Sequence, residues 1–88
     1  MKLRHILVQH DYEIEDLQRH LQKGQNFEEL ARKYSKCSSA RAGGDLGDLT
    51  KKMDRLDESF REVAETLKIN EIKKARSRFG YHLIQRYG

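Results

Sequence analysis

The sequence predicts an α+β fold in which a small antiparallel sheet of four strands is wrapped by about four helices. Three observations favour this class: strand-like apolar runs open and close the chain, apolar residues recur at helical spacing between them, and the last two strands are close enough to form a hairpin. The predicted order is strand, two helices, a short helical loop, strand, helix, strand and strand. Since 88 residues allow one domain, residues 1–88 are taken as a single unit.

The first strand is predicted over residues 3–8, where the apolar run 6–8 is typical of a strand buried on both faces. A helix should follow, with Asp11 as its cap, and should run to about Lys23, because Gly24 is a natural stop. Its apolar face consists of residues at helical spacing: Ile14, Leu17 and Leu21.

A second helix is predicted to begin at Asn26, with Glu29 as its capping-box partner. Its apolar face is again spaced by three and four residues: Phe27, Leu30, Ala31 and Tyr34. The stretch 35–44 is small, polar and ends in glycine, without a sustained period, which predicts a short helical turn followed by a tight glycine turn.

The second half of the chain should contain a brief strand over 45–50, a third long helix ending at Asn70, and a closing pair of strands over 72–77 and 81–87. Residues 78–80 then form the turn of a hairpin. The long helix is predicted from five apolar residues at helical offsets: Leu56, Phe60, Val63, Ala64 and Leu67.

The composition is polar, with 36% hydrophobic residues, 36% charged residues and a mean hydropathy of −0.94. No apolar run approaches the roughly 18 residues that a membrane span needs, and Met1 leads into only a short apolar run rather than a signal peptide. One cysteine fits a reducing compartment, and no Cys/His cluster has zinc spacing. We therefore expect a cytoplasmic protein without a membrane segment or a metal.

The formal net charge is +4, and the basic excess is greatest near the end of the chain. Five basic residues and no acidic residue lie between residue 72 and the C-terminus: Lys73, Lys74, Arg76, Arg78 and Arg86. Such a stripe could bind nucleic acid or acidic partners. A strand edge protected from aggregation by charge is the favoured interpretation, because no aromatic residues are interleaved at the spacing of a single-strand binder.

Few residues carry obvious chemistry. His5 and His82 lie in predicted strands, where a lone histidine is most often structural. Cys37 could be a nucleophile paired with a histidine, or a small buried apolar residue. The glycine-rich stretch 43–47 matches neither of the two phosphate-binding patterns, GxxxxGK[ST] and GxGxxG. Its glycines are therefore expected to permit positive φ or a close backbone approach.

Three motifs together resemble those of the parvulin-type peptidyl-prolyl cis/trans isomerases, over essentially the whole chain. They are residues 5–8 (HILV), residues 37–40 (CSSA) running into 43–47 (GGDLG), and residues 79–84 (FGYHLI). The resemblance, to small single-domain bacterial members, implies an isomerase that speeds rotation of X–Pro bonds in peptides and unfolded proteins. It implies no cofactor and no covalent intermediate.

The resemblance also implies a site. Four residues match the family's catalytic positions: His5, Cys37, Ser77 and His82. Six further residues are expected to contact the substrate: Leu46, Met53, Leu56, Phe60, Phe79 and Arg41. Met53 and Leu56 compete for one place in the pocket for the proline ring. Glu65 stands where a second phenylalanine is common, and it could narrow or wet that pocket.

The sequence also gives some indication of which residues around the proline of the substrate are preferred. The phosphorylation-directed branch of the family has a basic loop after its first strand, whereas residues 9–16 here are short and acidic, so no phosphate preference is expected. Arg41, Arg76 and Arg78 could lie at the rim and favour acidic residues before proline. The partners expected are proline-containing peptides and unfolded segments, bound by a monomer. A non-catalytic peptide-binding module of the same fold is the main alternative, and nucleic-acid binding is a weaker one.

Overall fold

The computed structural model describes all 88 residues and contains one sheet. Its strands are β1 (Lys2–Val8), β2 (Asp45–Asp48), β3 (Ile72–Ser77) and β4 (Gly80–Arg86). Its helices are α1 (Asp11–Gln22), α2 (Phe27–Tyr34) and α3 (Glu58–Glu65), with 3₁₀ turns at Ser38–Ala42 and Met53–Arg55. The strands pair antiparallel in the order β2-β1-β4-β3, which confirms the predicted α+β class.

The sheet separates two apolar clusters. Alternation along the strands sends Ile6, Val8 and Leu83 to the face covered by α1 and α2, where all three are fully buried. Leu3 and Ile84 point to the opposite face, against α3. The prediction that the first strand is buried on both faces is therefore confirmed, and the two faces of the sheet pack against different helices.

The helix starts depend on local capping and on one tertiary contact. Asn26 caps α2 as predicted, since its Oδ1 accepts the N–H groups of Glu28 and Glu29 at 2.9 and 3.2 Å. The prediction that Asp11 caps α1 is wrong, because His10 occupies that position without a side-chain hydrogen bond. The Asp11 carboxylate instead accepts a hydrogen bond from Lys74 Nζ of β3 at 2.9 Å.

The third helix is much shorter than predicted. Asp57 caps α3 by accepting the Ser59 N–H at 3.1 Å, so Leu56 lies before the helix. Leu67 lies beyond its end and is still buried, and Asn70 adopts a φ of 71° in the turn that leads into β3. Apolar residues flanking a short helix continued its spacing, which made it look long. The helix total is accordingly three α-helices and two 3₁₀ turns, and β2 ends two residues earlier than predicted.

Gly44 joins the loop that carries Cys37 to the first strand. Its φ is +83°, its carbonyl accepts the His5 N–H at 2.9 Å, and a Cβ built on it would lie 2.3 Å from the His5 carbonyl oxygen. Only glycine satisfies both the positive φ and this close approach. The loop is therefore fixed against the strand that provides the first histidine.

Gly44→Ala is expected to lower the free energy of unfolding by at least about 3 kcal/mol, since left-handed strain of about 1–2 kcal/mol adds to the cost of overpacking. Gly24→Ala is the matched control, because Gly24 has a φ of +88° but a Cβ there would meet no atom within 4 Å. Gly24→Ala should lower the free energy of unfolding only by the cost of the left-handed conformation. Urea unfolding of the two variants gives the comparison, and equal losses would contradict the close approach.

The basic stretch forms a sheet edge, as the favoured interpretation of its charge predicted. β3 is the outermost strand next to β4, and its Lys74 and Arg76 are exposed.

None of the helices has the length and apolar character needed to cross a bilayer.

Candidate active site

A cavity of about 380 Å³ opens on the α3 side of the sheet. Polar side chains form its floor, apolar side chains form its walls, and charged residues lie at its mouth. Its lining residues are His5, Leu7, Cys37, Leu46, Arg55, Leu56, Asp57, Phe60, Ser77, Arg78, Phe79 and His82. They come from all four strands, from α3 and from three connecting loops, so the cavity exists only in the folded chain.

The floor is a hydrogen-bonded chain that crosses three strands. Leu7 of β1 lies opposite His82 of β4, so alternation brings His5 to the same face as His82. The two histidine rings are inclined by 18°, and their Nδ1 atoms lie 3.0 Å apart. Ser77 Oγ of β3 lies 2.6 Å from His82 Nε2 and completes the chain.

The contacts of the serine fit one direction of the hydrogens along the chain. The Phe79 N–H donates to Ser77 Oγ at 3.1 Å, which leaves the hydroxyl hydrogen free to be donated to His82 Nε2. His82 then carries its hydrogen on Nδ1 and donates it to His5 Nδ1. This arrangement uses every group of the chain except His5 Nε2, which is buried without a partner.

Both histidines are held in the neutral form. Burial, together with a smaller effect of the neighbouring His82, lowers the pKa of His5 to about 4. Burial also lowers the pKa of His82 to about 4, against the opposing effect of the Asp57 carboxylate. At neutral pH the floor therefore carries no net charge, and its polarity comes only from oriented N–H and O–H groups.

Phe60 stands on the histidine pair. Its ring centroid is 5.7 Å from that of His5 and 5.0 Å from that of His82, at interplanar angles of 81° and 86°. Leu46, Leu56 and Phe79 complete the apolar walls, and Phe79 is 63% exposed at the rim. The cavity thus offers an apolar, ring-sized space above an uncharged floor.

Cys37 is placed beside Leu7 by a serine that the sequence analysis did not single out. Ser35 Oγ accepts the N–H of Leu7 at 3.0 Å and that of Cys37 at 3.3 Å. The Lys36 N–H donates to the Leu7 carbonyl at 2.8 Å. Three of the four ring nitrogens of the histidine pair are engaged within the floor, and the fourth, His5 Nε2, makes no hydrogen bond to the cysteine.

Eight of the ten predicted site residues line this cavity, including all four predicted catalytic residues. Leu56 lines it and Met53 does not, since Met53 packs against the α3 cluster instead. Arg41 lies outside it on the first 3₁₀ turn, and Glu65 is exposed on α3, where it pairs with Arg61 at 3.7 Å. Glu65 therefore neither narrows nor wets the cavity.

Three lining residues were not predicted: Leu7, Arg55 and Asp57. An acidic residue three positions before a buried phenylalanine is a typical helix start, so Asp57 could have been identified as a cap. Its second role was not visible in the sequence, because its other carboxylate oxygen accepts the N–H of Arg78, 21 residues away, at 3.4 Å. No group of three or more His, Cys, Asp or Glu side chains is arranged to hold a metal ion.

Comparison with known proteins gives a consistent family. The model of the PPIC-type PPIase domain matches residues 1–87. The chain is 39% identical to the foldase protein PrsA of Bacillus subtilis over 87 residues, which are 98% of this chain and 30% of PrsA. It is 38% identical to the chaperone SurA of Methylobacillus flagellatus over 93 residues, or 94% of this chain and 21% of SurA.

Solved structures agree with these matches. The crystal structure of PrsA from Bacillus subtilis has a TM-score of 0.94 to this chain at 38% identity, covering 100% of this chain and 34% of that one. The solution structure of NmPin, the parvulin of Nitrosopumilus maritimus, has a TM-score of 0.87 at 37% identity, with 100% and 95% covered. The chain therefore spans about a third of PrsA and nearly all of NmPin.

Proposed function

The chain is a peptidyl-prolyl isomerase domain that belongs to the PPIC-type, or parvulin, family, and we propose that it rotates X–Pro bonds without a covalent intermediate and without requiring a phosphate. The observation that supports this most directly is the apolar, ring-sized cavity above an uncharged histidine floor. Relatives named as foldase and chaperone favour unfolded protein segments as substrates.

The energy needed is modest enough for a cavity to supply. Rotation about an amide crosses a barrier of about 18–20 kcal/mol. Because each factor of ten in rate corresponds to about 1.4 kcal/mol, a thousandfold acceleration needs about 4 kcal/mol. In the twisted transition state the amide loses resonance and its carbonyl loses polarity, so a dry apolar environment stabilises it relative to the planar ground state. Phe60, Leu46 and Leu56 supply that environment.

The floor orients the site rather than transferring protons. Rotation of the bond neither makes nor breaks a covalent bond, so no acid or base is required. The neutral His5–His82–Ser77 chain instead fixes the rings beneath Phe60 and sets the local field. Cys37 adds its own dipole near the carbonyl of the substrate.

A phosphate-independent substrate is favoured by the charges after β1. The segment between β1 and the middle of α1 carries Asp11, Glu13, Glu15 and Asp16. The two cations in contact with it are already paired, Lys74 with Asp11 at 2.9 Å and Arg19 with Asp16. A dianionic phosphate placed there would be repelled. A phosphopeptide that bound more than tenfold better than its unmodified form would contradict this part of the proposal.

The direct test is cis/trans exchange of short X–Pro peptides, measured by NMR with and without the protein. Accelerated exchange is expected. Chemical shifts that move on peptide addition without any acceleration would indicate the binding-module alternative, which has lost its main support because Glu65 lies outside the cavity.

Cys37→Ala is expected to keep catalytic efficiency within about tenfold of wild type, or about 1.4 kcal/mol in the barrier, because in the non-covalent mechanism the thiol forms no bond to the substrate. Loss of an essential nucleophile would instead reduce it by several orders of magnitude. The same NMR exchange experiment measures the rates, with Cys37→Ser as the variant that keeps a polar group. A covalent adduct of the cysteine with a prolyl peptide, detected by intact mass, would exclude the non-covalent mechanism.

A further inference from the structure

Two arginines lie at the mouth of the cavity. Arg55 comes from the second 3₁₀ turn and Arg78 from the β3–β4 turn, and both are exposed where they line the opening. Neither guanidinium forms an ion pair, whereas Arg4, Arg19 and Arg61 are each paired with a carboxylate. The Arg78 guanidinium lies 5.0 Å from the centre of the Phe79 ring, which holds it beside the rim.

The single acidic residue at the cavity does not neutralise them. The carboxylate oxygens of Asp57 accept backbone N–H groups, that of Ser59 at 3.1 Å and that of Arg78 at 3.4 Å. The lining therefore contains two cationic side chains and one anionic one. Above the neutral histidine floor, the charged side chains that line the mouth thus sum to +1.

From this arrangement we propose that the domain selects substrates with an acidic side chain directly before the proline, an inference that rests on the proposed function. The bond that turns joins this residue to the proline, so its Cα lies within about 3.8 Å of the prolyl Cα or closer. When the ring enters the cavity, the preceding side chain must leave through the mouth, past Arg55 and Arg78. Carboxylates are the natural partners of guanidinium groups.

The expected discrimination is moderate, because both arginines are exposed to solvent. Exposed charge pairs are weak because water screens them, so two such contacts give a Glu-Pro over Gln-Pro preference of only about threefold. A lysine before the proline would be repelled by the arginines, so the preference for Glu-Pro over Lys-Pro should be larger, about tenfold. The preference should shrink in 1 M salt, where charges are screened within about 3 Å.

The test is a set of peptides that differ only before the proline, with Glu, Gln, Leu or Lys, assayed by NMR exchange at low and high salt. Arg55→Gln and Arg78→Gln should each lower the Glu-to-Lys ratio of catalytic efficiencies by about threefold. The control Arg76→Gln removes an exposed arginine of β3 that stacks on Tyr81 at 5.4 Å and does not line the cavity. It should leave the ratio at its wild-type value.

The possible outcomes separate this inference from the proposed function. Equal rates for Glu and Lys peptides, with all of them accelerated, would overturn the acidic preference and leave the isomerase intact. No acceleration of any peptide would overturn both. A phosphoserine peptide turned over more than tenfold faster than the Glu peptide would show that the arginines select phosphate rather than carboxylate, and would also overturn the inference.

Discussion

Phe60→Ala is expected to reduce the catalytic efficiency for X–Pro exchange by at least about 100-fold, which corresponds to about 2.7 kcal/mol of lost transition-state stabilisation. Phe60 is 4% exposed, and its ring stands nearly perpendicular to both histidine rings. Its removal would open the cavity to water at the point where the proline ring should sit. A wet cavity no longer favours the less polar, twisted amide over the planar one.

The alanine variant also risks unfolding, because Phe60 belongs to the apolar cluster beneath α3. A buried phenylalanine replaced by alanine costs about 3–5 kcal/mol, against a total stability of about 5–15 kcal/mol for a domain. Phe60→Leu avoids this difficulty, since it keeps most of the volume and costs less than about 1.5 kcal/mol. It should remain folded and still lose about tenfold in catalytic efficiency, because the flat ring face is gone.

Phe27→Leu is the matched control for the leucine variant. Phe27 is 5% exposed and lies in the other apolar cluster, between α2 and the opposite face of the sheet. The same substitution there should change stability by a similar amount and leave X–Pro exchange unaffected. NMR exchange rates and urea unfolding on the three variants give the comparison. Equal losses of activity at Phe60 and Phe27 would mean that the loss reflects stability, not the cavity.

The sequence predicted the sheet and the first two helices well, for physical reasons that can be named. Strand alternation and helical spacing are local patterns, and they persist because each element must bury one face. Asn26 and Gly24 acted at the helix ends as local chemistry requires. The motif resemblance then placed His5, Cys37, Ser77 and His82 together, which no local pattern could do, since they lie on different elements.

The errors lie where tertiary contacts override local preference. Asp11 was expected to cap α1, but an ion pair with Lys74 of a distant strand takes its carboxylate. The third helix appeared long because Leu56 and Leu67 continued its spacing, although both lie outside the helix, Leu56 half-buried and Leu67 buried. The regular spacing of apolar residues indicates which residues face the core, and a residue that faces the core need not belong to a helix. The same shortening bears on the choice between Leu56 and Met53, because Leu56, directly before the Asp57 cap, lines the cavity and Met53 does not.

Residues at the mouth of the cavity were the hardest to predict. Arg55 and Asp57 precede a helix and have no periodic partner, so only the fold reveals that they face Arg78. Surface charges contribute little to the burial patterns on which sequence analysis depends. The effect that we propose for them is on substrate choice, and the same fold can accommodate different charges at these positions.

The histidine pair should make stability depend on pH in a range where most other groups do not titrate. Burial lowers the native pKa of both His5 and His82 to about 4, whereas an unfolded histidine has a pKa of 6.5. As pH falls below 6.5 the unfolded state takes up protons and the native state does not, so the free energy of unfolding must decrease. It should be constant above pH 7 and fall until the native pKa is reached.

The expected slope is up to about 1.4 kcal/mol per pH unit for each histidine. Urea unfolding between pH 7 and 5 measures it before the carboxyl groups begin to contribute. His82→Gln should roughly halve the slope and also lower stability at pH 7, because it disturbs the partners of His5 Nδ1 and Ser77 Oγ. His10→Gln, at an exposed histidine outside the floor, is the control for the substitution itself.

A second measurement tests directly whether the buried rings of His5 and His82 are neutral and on which nitrogen each carries its hydrogen. If the hydrogens run in the direction assigned from the serine, the ¹⁵N chemical shifts of the imidazole rings should place the hydrogen of His82 on Nδ1 and that of His5 on Nε2. Ser77→Ala removes the donor to His82 Nε2, so the pair should lose its single tautomer while both rings stay in place. X–Pro exchange in this variant should fall, because the orientation of the floor would no longer be fixed. A wild-type slope of zero would show that the native pKa values are not lowered, and a pair protonated at pH 6 would show that the floor gains charge just below neutral pH. Either result would remove the physical basis for an uncharged floor beneath the twisted amide.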